Sequence, residues 1–286
     1  MLFIAGKLKI IMYWVNGILK KTVSLNNRAL HFGDGFFTTA RLRHGEIEFL
    51  DLHMNRLILS AKRLMFNNFN YNFLYKEMLQ AASFSSTYSI IKVIISRSDN
   101  HKLHGYKCKN DIEPLRIIYI GRLPKYYIRW INVGICMKTS VVRLARNTFL
   151  AGIKHLNRLE QVMISMWISK NEEIDEALVL DTDGNVVECC SSNIFWRYKY
   201  QVFTPSIHYA GVNGIMRQIV FRLLPELGYC IRTVTVGPEH VKNANEVFIT
   251  NALLPLASVN SIDDCFYSDK TLFRLLYSHI TNNKIQ

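Results

Sequence analysis

The sequence predicts a mixed α and β fold in two domains, about 12–120 and 126–286. Stretches rich in β-prone residues alternate with stretches whose apolar residues recur at helical spacing. The length of 286 residues suits two modest domains. Pro124 interrupts the chain within 121–125, a short stretch that we interpret as the linker between them. No window approaches ~18 consecutive apolar residues, so we expect no transmembrane helix.

Residues 1–11 are expected to be an extension outside the fold. Lys7 and Lys9 interrupt the apolar residues there, and no small-residue cleavage site follows, which argues against a secretory signal. The first β-prone run begins at Met12. The six cysteines show neither a C-x-x-C pair nor metal-ligand spacing, so we expect free thiols, a cytoplasmic location and no metal site.

The first strands of the chain are predicted from a turn signal and from alternation. Asn16-Gly17 lies between β-prone runs and predicts a hairpin, because both residues tolerate positive φ. Side chains alternate along the strand 36–43, so Thr39 and Arg41 share one face while Thr38 lies on the other. One face of this strand therefore offers hydroxyl and guanidinium groups side by side.

A helix is expected from Asp51, as its N-cap, to about residue 66. His53 and Arg56 are three residues apart and are expected to lie together on a face different from the apolar stripe of this helix. A second helix near 72–83 and two strands, 88–96 and 115–120, complete the first half, with a polar loop at 97–113.

The second half is expected to open with strand material at 128–142 and to continue with a helix after Lys154. The apolar residues of that helix have helical spacing, and we expect them to be core: Leu159, Val162, Met163, Met166 and Trp167. A β meander, a helix beginning near Gly214, two further strands and a last helix follow at 177–181, 186–188, 193–197, 211–224, 229–236, 246–250 and 271–279.

Three features of the second half carry possible chemistry, and each has an ordinary structural alternative. The glycine turn Gly211-Val-Asn-Gly214 opens a helix, whose N-terminal N–H groups suit a phosphate or simply begin the helix. No Walker loop and no G-x-G-x-x-G motif is present. Glu188 ends an apolar strand and is either a buried carboxylate with a cationic partner or a salt-bridged strand end. The third feature is Lys154, whose ordinary alternative is a solvated surface lysine.

The net charge of +13 comes from 35 Lys and Arg against 22 Asp and Glu. A basic nucleic-acid-binding protein is one interpretation. The positive charges are dispersed, however, and no basic run of ~5 or more occurs. The composition therefore favours a small anionic substrate over nucleic acid, and it gives no sign of a membrane partner.

The order of Arg56, Lys154, Glu188, the Gly214 turn and Thr250-Asn251 resembles the fold-type-IV family of pyridoxal-phosphate enzymes. That family includes branched-chain and D-amino-acid aminotransferases. Four stretches are similar to its 4-amino-4-deoxychorismate lyase branch: 32–41, 145–161, 183–195 and 211–217. The resemblance implies a small N-terminal α/β sandwich domain and a larger, β-barrel-like C-terminal domain with helices, which binds pyridoxal 5'-phosphate.

The resemblance also implies a role for each matching residue toward the cofactor. Lys154 matches the lysine that forms the Schiff base with pyridoxal phosphate, and Glu188 matches the acid that pairs with the pyridinium nitrogen. The remaining cofactor-binding positions implied by the family are Arg56, Asn193, Ile215, Met216 and Asn251. A guanidinium group and a helix N-terminus both attract a phosphate, so these positions are physically compatible with phosphate binding.

The lyase branch implies a catalytic hydroxyl at Thr39, with Thr38 beside it, where the aminotransferases have glycine. Arg41, Arg97 and Arg146 are candidates for the two substrate carboxylates. The resemblance implies a homodimer that aromatises 4-amino-4-deoxychorismate to 4-aminobenzoate, with transamination of D- or branched-chain amino acids as the alternative. The chain departs from the branch at 98–104, where a glycine-rich run is replaced by polar residues.

Overall fold

A computed structural model describes residues 11–98, 105–108, 112–171 and 173–282. The chain divides into two compact units, residues 1–123 (unit 1) and 124–286 (unit 2). Apart from Ile11, the expected N-terminal extension lies outside the described residues, as does most of the 97–113 loop, including 99–104. Within the described ranges, no helix has the length and apolar character needed to cross a membrane.

Unit 1 is an antiparallel sheet with helices, in the strand order β2-β1-β6-β5-β3-β4. Its described elements are β1 (Met12–Val15), β2 (Ile18–Leu19), α1 (Arg28–Phe32), β3 (Gly35–Arg43), β4 (Glu46–Ile47), α2 (Leu50–Arg63), α3 (Tyr71–Ala82), β5 (Ser89–Ser96) and β6 (Leu115–Gly121). The β1–β2 hairpin turns at Asn16 and Gly17, both with positive φ, which confirms the predicted turn.

The predicted alternation along β3 is confirmed. Phe36, Thr38, Ala40 and Leu42 are buried, whereas Phe37, Thr39 and Arg41 on the other face are half-buried. The reason is the two-residue period of a strand that packs one face against a helix. The two neighbouring threonines therefore point to opposite sides of the sheet.

Two details of α2 differ from the prediction. The N-cap position is held by Phe49, with φ of 55° and no side-chain cap, so Asp51 lies in the first turn instead of capping it. His53 and Arg56 are buried together with Met54 and Leu57, not on a separate polar face. Their polar atoms are paired with a hydroxyl of β3, which allows them to lie inside.

Unit 2 is built on a mixed sheet in the order β12-β11-β10-β13-β14-β7-β8-β9, with β15 beside β14. Its described elements are α4 (Tyr126–Val133), β7 (Ile135–Thr139), α5 (Leu159–Ser169), β8 (Glu176–Leu180), β9 (Val186–Cys189), β10 (Asn193–Tyr198), β11 (Gln201–Pro205), α6 (Ile215–Glu226), β12 (Cys230–Val234), α7 (Glu239–Lys242), β13 (Glu246–Thr250), β14 (Ala257–Ile262), β15 (Cys265–Phe266) and α8 (Thr271–Asn282). Parallel pairs join β11 to β12, β14 to β7 and β7 to β8.

The strand expected at 128–142 is wrong in its first half, where the structure has α4. Tyr127 and Trp130, three residues apart, are the buried residues of this helix. Gly134, at φ of 88°, ends it and leads into β7. Packing of two aromatic side chains at helical spacing has outweighed the β propensity of the intervening residues.

The apolar stripe expected to be the core face of α5 is also wrong. Leu159, Val162, Met163 and Met166 are 49–72% exposed, and Trp167 is half-buried. The buried contact is made by Ile164, which packs in a cluster with Leu144, Ala177 and Val179. Because this helix is apolar on nearly all sides, its periodicity could not identify the buried face.

Candidate active site

The Lys154 stretch lies against the glycine turn that precedes α6. Gly152 and Val212 form a parallel bridge, in which Gly152 N–H donates to the Gly211 carbonyl (2.8 Å) and Asn213 N–H donates to the Gly152 carbonyl (3.1 Å). Gly211 has φ of 88°, a conformation that favours glycine. Two segments about sixty residues apart in sequence are thus joined by main-chain hydrogen bonds.

The turn leads into a helix N-terminus that no side chain caps. Gly214 occupies the N-cap position of α6 in an extended conformation, and no side chain caps it. The N–H groups of Ile215, Met216 and Arg217 consequently have no partner within the helix. Together with the positive end of the helix dipole they suit a phosphate group.

Glu188 lies behind the same turn. Its side chain is buried, and Oε2 accepts a hydrogen bond from Val212 N–H (2.8 Å). Burial raises the pKa of this carboxyl, and the charges of Arg158, Lys154 and Arg217, with the Val212 hydrogen bond, oppose that rise. The structure therefore gives the buried carboxylate the cationic surroundings that its sequence context left open.

Arg158 and His155 surround the lysine on its C-terminal side. Arg158 Nη2 donates to the Ile153 carbonyl (2.7 Å) and Nε donates to the His155 carbonyl (3.0 Å). Burial, followed by the charges of Arg158 and Lys154, lowers the pKa of His155 to about 4, so its ring is neutral at neutral pH. His155 Nδ1 has no hydrogen-bond partner among the described residues, and the ring lines a cavity of about 180 Å³.

The two asparagines predicted to bind the cofactor make defined contacts within unit 2. Asn193 Nδ2 donates to the Val212 carbonyl (3.0 Å), which holds the glycine turn. Asn251 donates from Nδ2 to Ser192 Oγ (3.1 Å) and Tyr127 Oη (3.3 Å), while its Oδ1 accepts from the N–H groups of two following residues (2.8 Å). Both side chains therefore shape the main chain of the site.

In unit 1, Thr38, His53 and Arg56 form a buried polar cluster between β3 and α2. Arg56 Nη2 hydrogen-bonds Thr38 Oγ1, and Thr38 Oγ1 lies 2.6 Å from His53 Nδ1. Burial and then the Arg56 charge lower the pKa of His53 well below its ordinary value, so its ring is neutral and orients the hydroxyl. Thr38 is fully buried on the face opposite Thr39, and its hydroxyl contacts Arg56, so its role in substrate binding stays a prediction.

The three arginines predicted to bind substrate carboxylates are each paired with a carboxylate of the protein. Arg41 forms a two-pronged pair with Glu48 (2.9 and 3.2 Å), and Arg146 pairs with Asp183 and lies 3.8 Å from the centre of the Tyr209 ring. Arg41 and Arg146 stay predictions.

Arg97 has a packing role in the structure. Its Nε donates to both Asp34 oxygens (3.1 and 3.2 Å), and its Nη atoms donate to the Met65 and Leu64 carbonyls (3.1 and 2.7 Å). The same guanidinium lies 4.1 Å from the centre of the Phe66 ring. These contacts direct its N–H groups into unit 1, and a role for Arg97 as a substrate ligand stays a prediction.

Three features of the site were not predicted from the sequence. The main-chain groups of Val212 carry no side-chain signal, although the flanking glycines marked the turn. Arg217 faces Glu188, donates to the Pro205 carbonyl (3.2 Å) and has its pKa lowered by burial to about 10. Tyr127, which contacts Asn251, could not be found because its helix was predicted to be a strand.

Comparison with known proteins identifies the family of the chain. The sequence profile of the family described as "Amino-transferase class IV" matches residues 35–262. The chain is 30% identical to an aminodeoxychorismate lyase of Vibrio harveyi, over 88% of this chain and 91% of that protein. It is 27% identical to a D-alanine aminotransferase of Bacillus licheniformis, over 84% and 83%.

The crystal structure of a 4-amino-4-deoxychorismate lyase from Pseudomonas aeruginosa is similar over 95% of this chain and 98% of that chain. The TM-score is 0.90 and the sequence identity is 29%. This similarity confirms the predicted α+β fold. The chain belongs to the class IV aminotransferase family.

Proposed function

We propose that the chain is a lyase that uses pyridoxal 5'-phosphate to convert 4-amino-4-deoxychorismate to 4-aminobenzoate and pyruvate. The observation that carries the proposal is the convergence of three groups on the 211–216 segment. Lys154 lies two residues beyond the Gly152–Val212 bridge, Glu188 accepts the Val212 N–H, and the segment ends in the uncapped start of α6. The similarity to lyases of two organisms supports this reaction over transamination.

The residues fit the cofactor by their chemistry. An amine, a buried carboxylate and a helix N-terminus match the aldehyde, the ring nitrogen and the phosphate of pyridoxal phosphate. A Cβ added at Gly211 would lie 2.9 Å from Val187 Cγ1, and one at Gly214 would collide with Asn193 Oδ1. The two glycines therefore let the main chain of the turn pack closely against Val187 and Asn193.

Each residue then has a defined task. Lys154 would hold the cofactor aldehyde, Glu188 its ring nitrogen, and Ile215 and Met216 its phosphate, to which we also assign Arg56 and Asn251. Asn193 supports the turn. When bound, pyridoxal phosphate acts as an electron sink for charge that develops on the substrate carbon next to nitrogen.

Lys154 would have a second task as a base, in addition to holding the cofactor. Its amine removes the proton from the ring carbon that bears the substrate amino group. The Thr39 hydroxyl donates a proton to the methylene carbon of the departing enolpyruvyl group, which leaves as pyruvate. Aromatisation of the remaining ring makes this elimination downhill.

The exposed face of α5 supports the proposal of a homodimer. Leu159, Val162, Met163 and Met166 present a continuous uncharged surface on a chain of net charge +13. A second copy can approach such a face without charge repulsion, and exposed apolar stripes of this kind mark interaction sites.

We also place the protein in the cytoplasm, because all six cysteines carry free thiols.

The purified protein offers a direct test. We expect visible absorbance from bound pyridoxal phosphate, and the simultaneous appearance of 4-aminobenzoate and pyruvate from enzymatically generated aminodeoxychorismate. Lys154→Ala is expected to lose both the visible band and turnover. Turnover retained by Lys154→Ala would exclude the assigned role, and an amino-acid-dependent exchange of amino groups without pyruvate release would instead favour transamination.

A further inference from the structure

Arg158 makes a pair of contacts that the proposed function does not use. Its guanidinium donates to the carbonyls of Ile153 and His155, the residues immediately before and after Lys154. The opposite edge of this segment is held by the Gly152–Val212 bridge. The main chain that carries Lys154 is thus fixed from both sides, by peptide groups on one and by a side chain on the other.

Glu188 is tied to the same segment, because its Oε2 accepts a hydrogen bond from the N–H of Val212, the residue that forms the bridge with Gly152. The charge of the Arg158 guanidinium opposes the rise that burial causes in the pKa of this carboxyl. The titratable and charged groups that face this carboxylate are Lys154, Arg158, Arg217, Cys189 and Cys190. Glu188 raises the pKa of both thiols, so they do not neutralise it. A buried carboxylate with one hydrogen bond needs a permanent positive charge nearby to stay ionised.

Only two of these groups are permanent cations. The Lys154 amine is the reactive group of the proposed function and cannot serve as a constant counter-charge. Arg217 is directed to the Pro205 carbonyl and lies 4.6 Å from the centre of the Phe221 ring. A guanidinium keeps its proton at neutral pH even when burial lowers its pKa, as it does for Arg158.

We propose that Arg158 is a positioning residue that fastens the main chain on both sides of Lys154 and keeps Glu188 ionised. This inference rests on the proposed function only in giving Lys154 and Glu188 their roles toward pyridoxal phosphate. One guanidinium thereby couples the placement of the amine to the charge of the carboxylate. Lysine at position 158 would retain the charge but not the planar fork that reaches both carbonyls.

The charge arm of the test uses the full-length chain prepared without pyridoxal phosphate. Infrared difference spectra against pH follow the protonated carboxyl band of Glu188, which Glu188→Gln identifies by its loss. We expect the midpoint in Arg158→Met to rise by about one pH unit or more relative to wild type. Arg222→Met, which removes an exposed positive charge from α6, is the matched control and is expected to leave the midpoint unchanged.

The positioning arm measures pyridoxal phosphate binding by its visible absorbance. Arg158→Lys and Arg158→Met are both expected to bind it at least about ten-fold more weakly than wild type, the size expected for lost hydrogen bonds from a charged donor. Arg222→Met is expected to bind it normally. If Arg158→Met does not fold, Arg158→Lys decides this arm, and its midpoint for Glu188 is expected near that of wild type.

The outcomes separate cleanly. An unchanged Glu188 midpoint in a folded Arg158→Met overturns the charge assignment, and unchanged affinity in Arg158→Lys overturns the positioning assignment. A lower resistance to urea without either change also overturns the inference, because it shows a purely structural role. If the wild-type chain takes up no pyridoxal phosphate, the proposed function fails, while the infrared titration still decides whether Arg158 controls Glu188.

Discussion

Replacing Gly211 with alanine is expected to destabilise unit 2 more than the same replacement at Gly228. Both glycines have positive φ, 88° and 81°, so alanine at either position adopts a left-handed backbone at a cost of about 1–2 kcal/mol. A Cβ at Gly228 meets no atom within 4 Å. A Cβ at Gly211 lies 2.9 Å from Val187 Cγ1 and 3.3 Å from Glu188 Oε2.

The extra contact at Gly211 adds ~1–3 kcal/mol, the range for overpacking a tight interior site. Gly211→Ala therefore lowers the free energy of unfolding by about 2–5 kcal/mol, and Gly228→Ala by about 1–2 kcal/mol. Urea unfolding of the cofactor-free chain, followed by tryptophan fluorescence, measures both. Gly211→Ala is also expected to weaken pyridoxal phosphate binding, because Glu188 must move, whereas Gly228→Ala is not.

Equal losses of stability in the two variants would refute the steric reasoning, since their backbone costs are the same. A normal affinity for pyridoxal phosphate in a destabilised Gly211→Ala would refute the link from the turn to Glu188. The comparison needs no activity measurement. It therefore tests the geometry of the turn separately from the reaction.

Three further predictions concern other parts of the chain. Thr38→Val is expected to weaken pyridoxal phosphate binding several-fold in an absorbance titration, because it removes the hydroxyl that orients Arg56. Met166→Lys is expected to shift the homodimer toward monomer in light scattering, because it places a charge in the apolar face of α5. His155→Asn is expected to reduce the stability lost on acidification. Burial, followed by the charges of Arg158 and Lys154, lowers the pKa of the His155 ring to about 4. The contribution of the neutral ring to the free energy of unfolding is complete above the unfolded-state pKa of ~6.5. This contribution is lost as the pH falls toward 4, because the unfolded chain then binds a proton that the folded chain does not. With solvent screening taken into account, the loss is ~2 kcal/mol, measured by urea unfolding at about pH 7 and about pH 4.5.

Each of these predictions has a control in the same chain. Thr38→Ser keeps the hydroxyl and is expected to bind normally, so equal weakening in both variants would contradict the orienting role. The control for Met166→Lys is Tyr200→Lys, which changes an exposed aromatic residue elsewhere in unit 2. It should leave the molar mass measured by light scattering unaltered. For His155→Asn the matched control is His208→Asn, which changes an exposed histidine. An acid sensitivity shared by His155→Asn and the wild type would show that other groups control it.

The sequence predicted most of the elements, and the exceptions have physical causes, whereas the cofactor-binding residues stay predictions. The Asn16-Gly17 turn and the β3 alternation are local signals, so they were readable without tertiary structure. The buried face of α5 was not, because a helix that is apolar on most sides gives no preferred direction. Thr38 contacts Arg56, and Arg97 contacts Asp34, because the fold places these side chains together. No spacing in the sequence encodes those pairings.

The hydrogen bonds of Val212 have a consequence for how this protein tolerates change. Its N–H serves Glu188 and its carbonyl serves Asn193, so both contacts survive any replacement that keeps an ordinary peptide group. Alanine scanning would report only the lost packing of a buried valine. Proline, which has no N–H, would remove the contact to Glu188. A library screened for function at this position would therefore accept aliphatic side chains and reject proline, which gives genetic access to a contact that Val212 makes through its main chain alone.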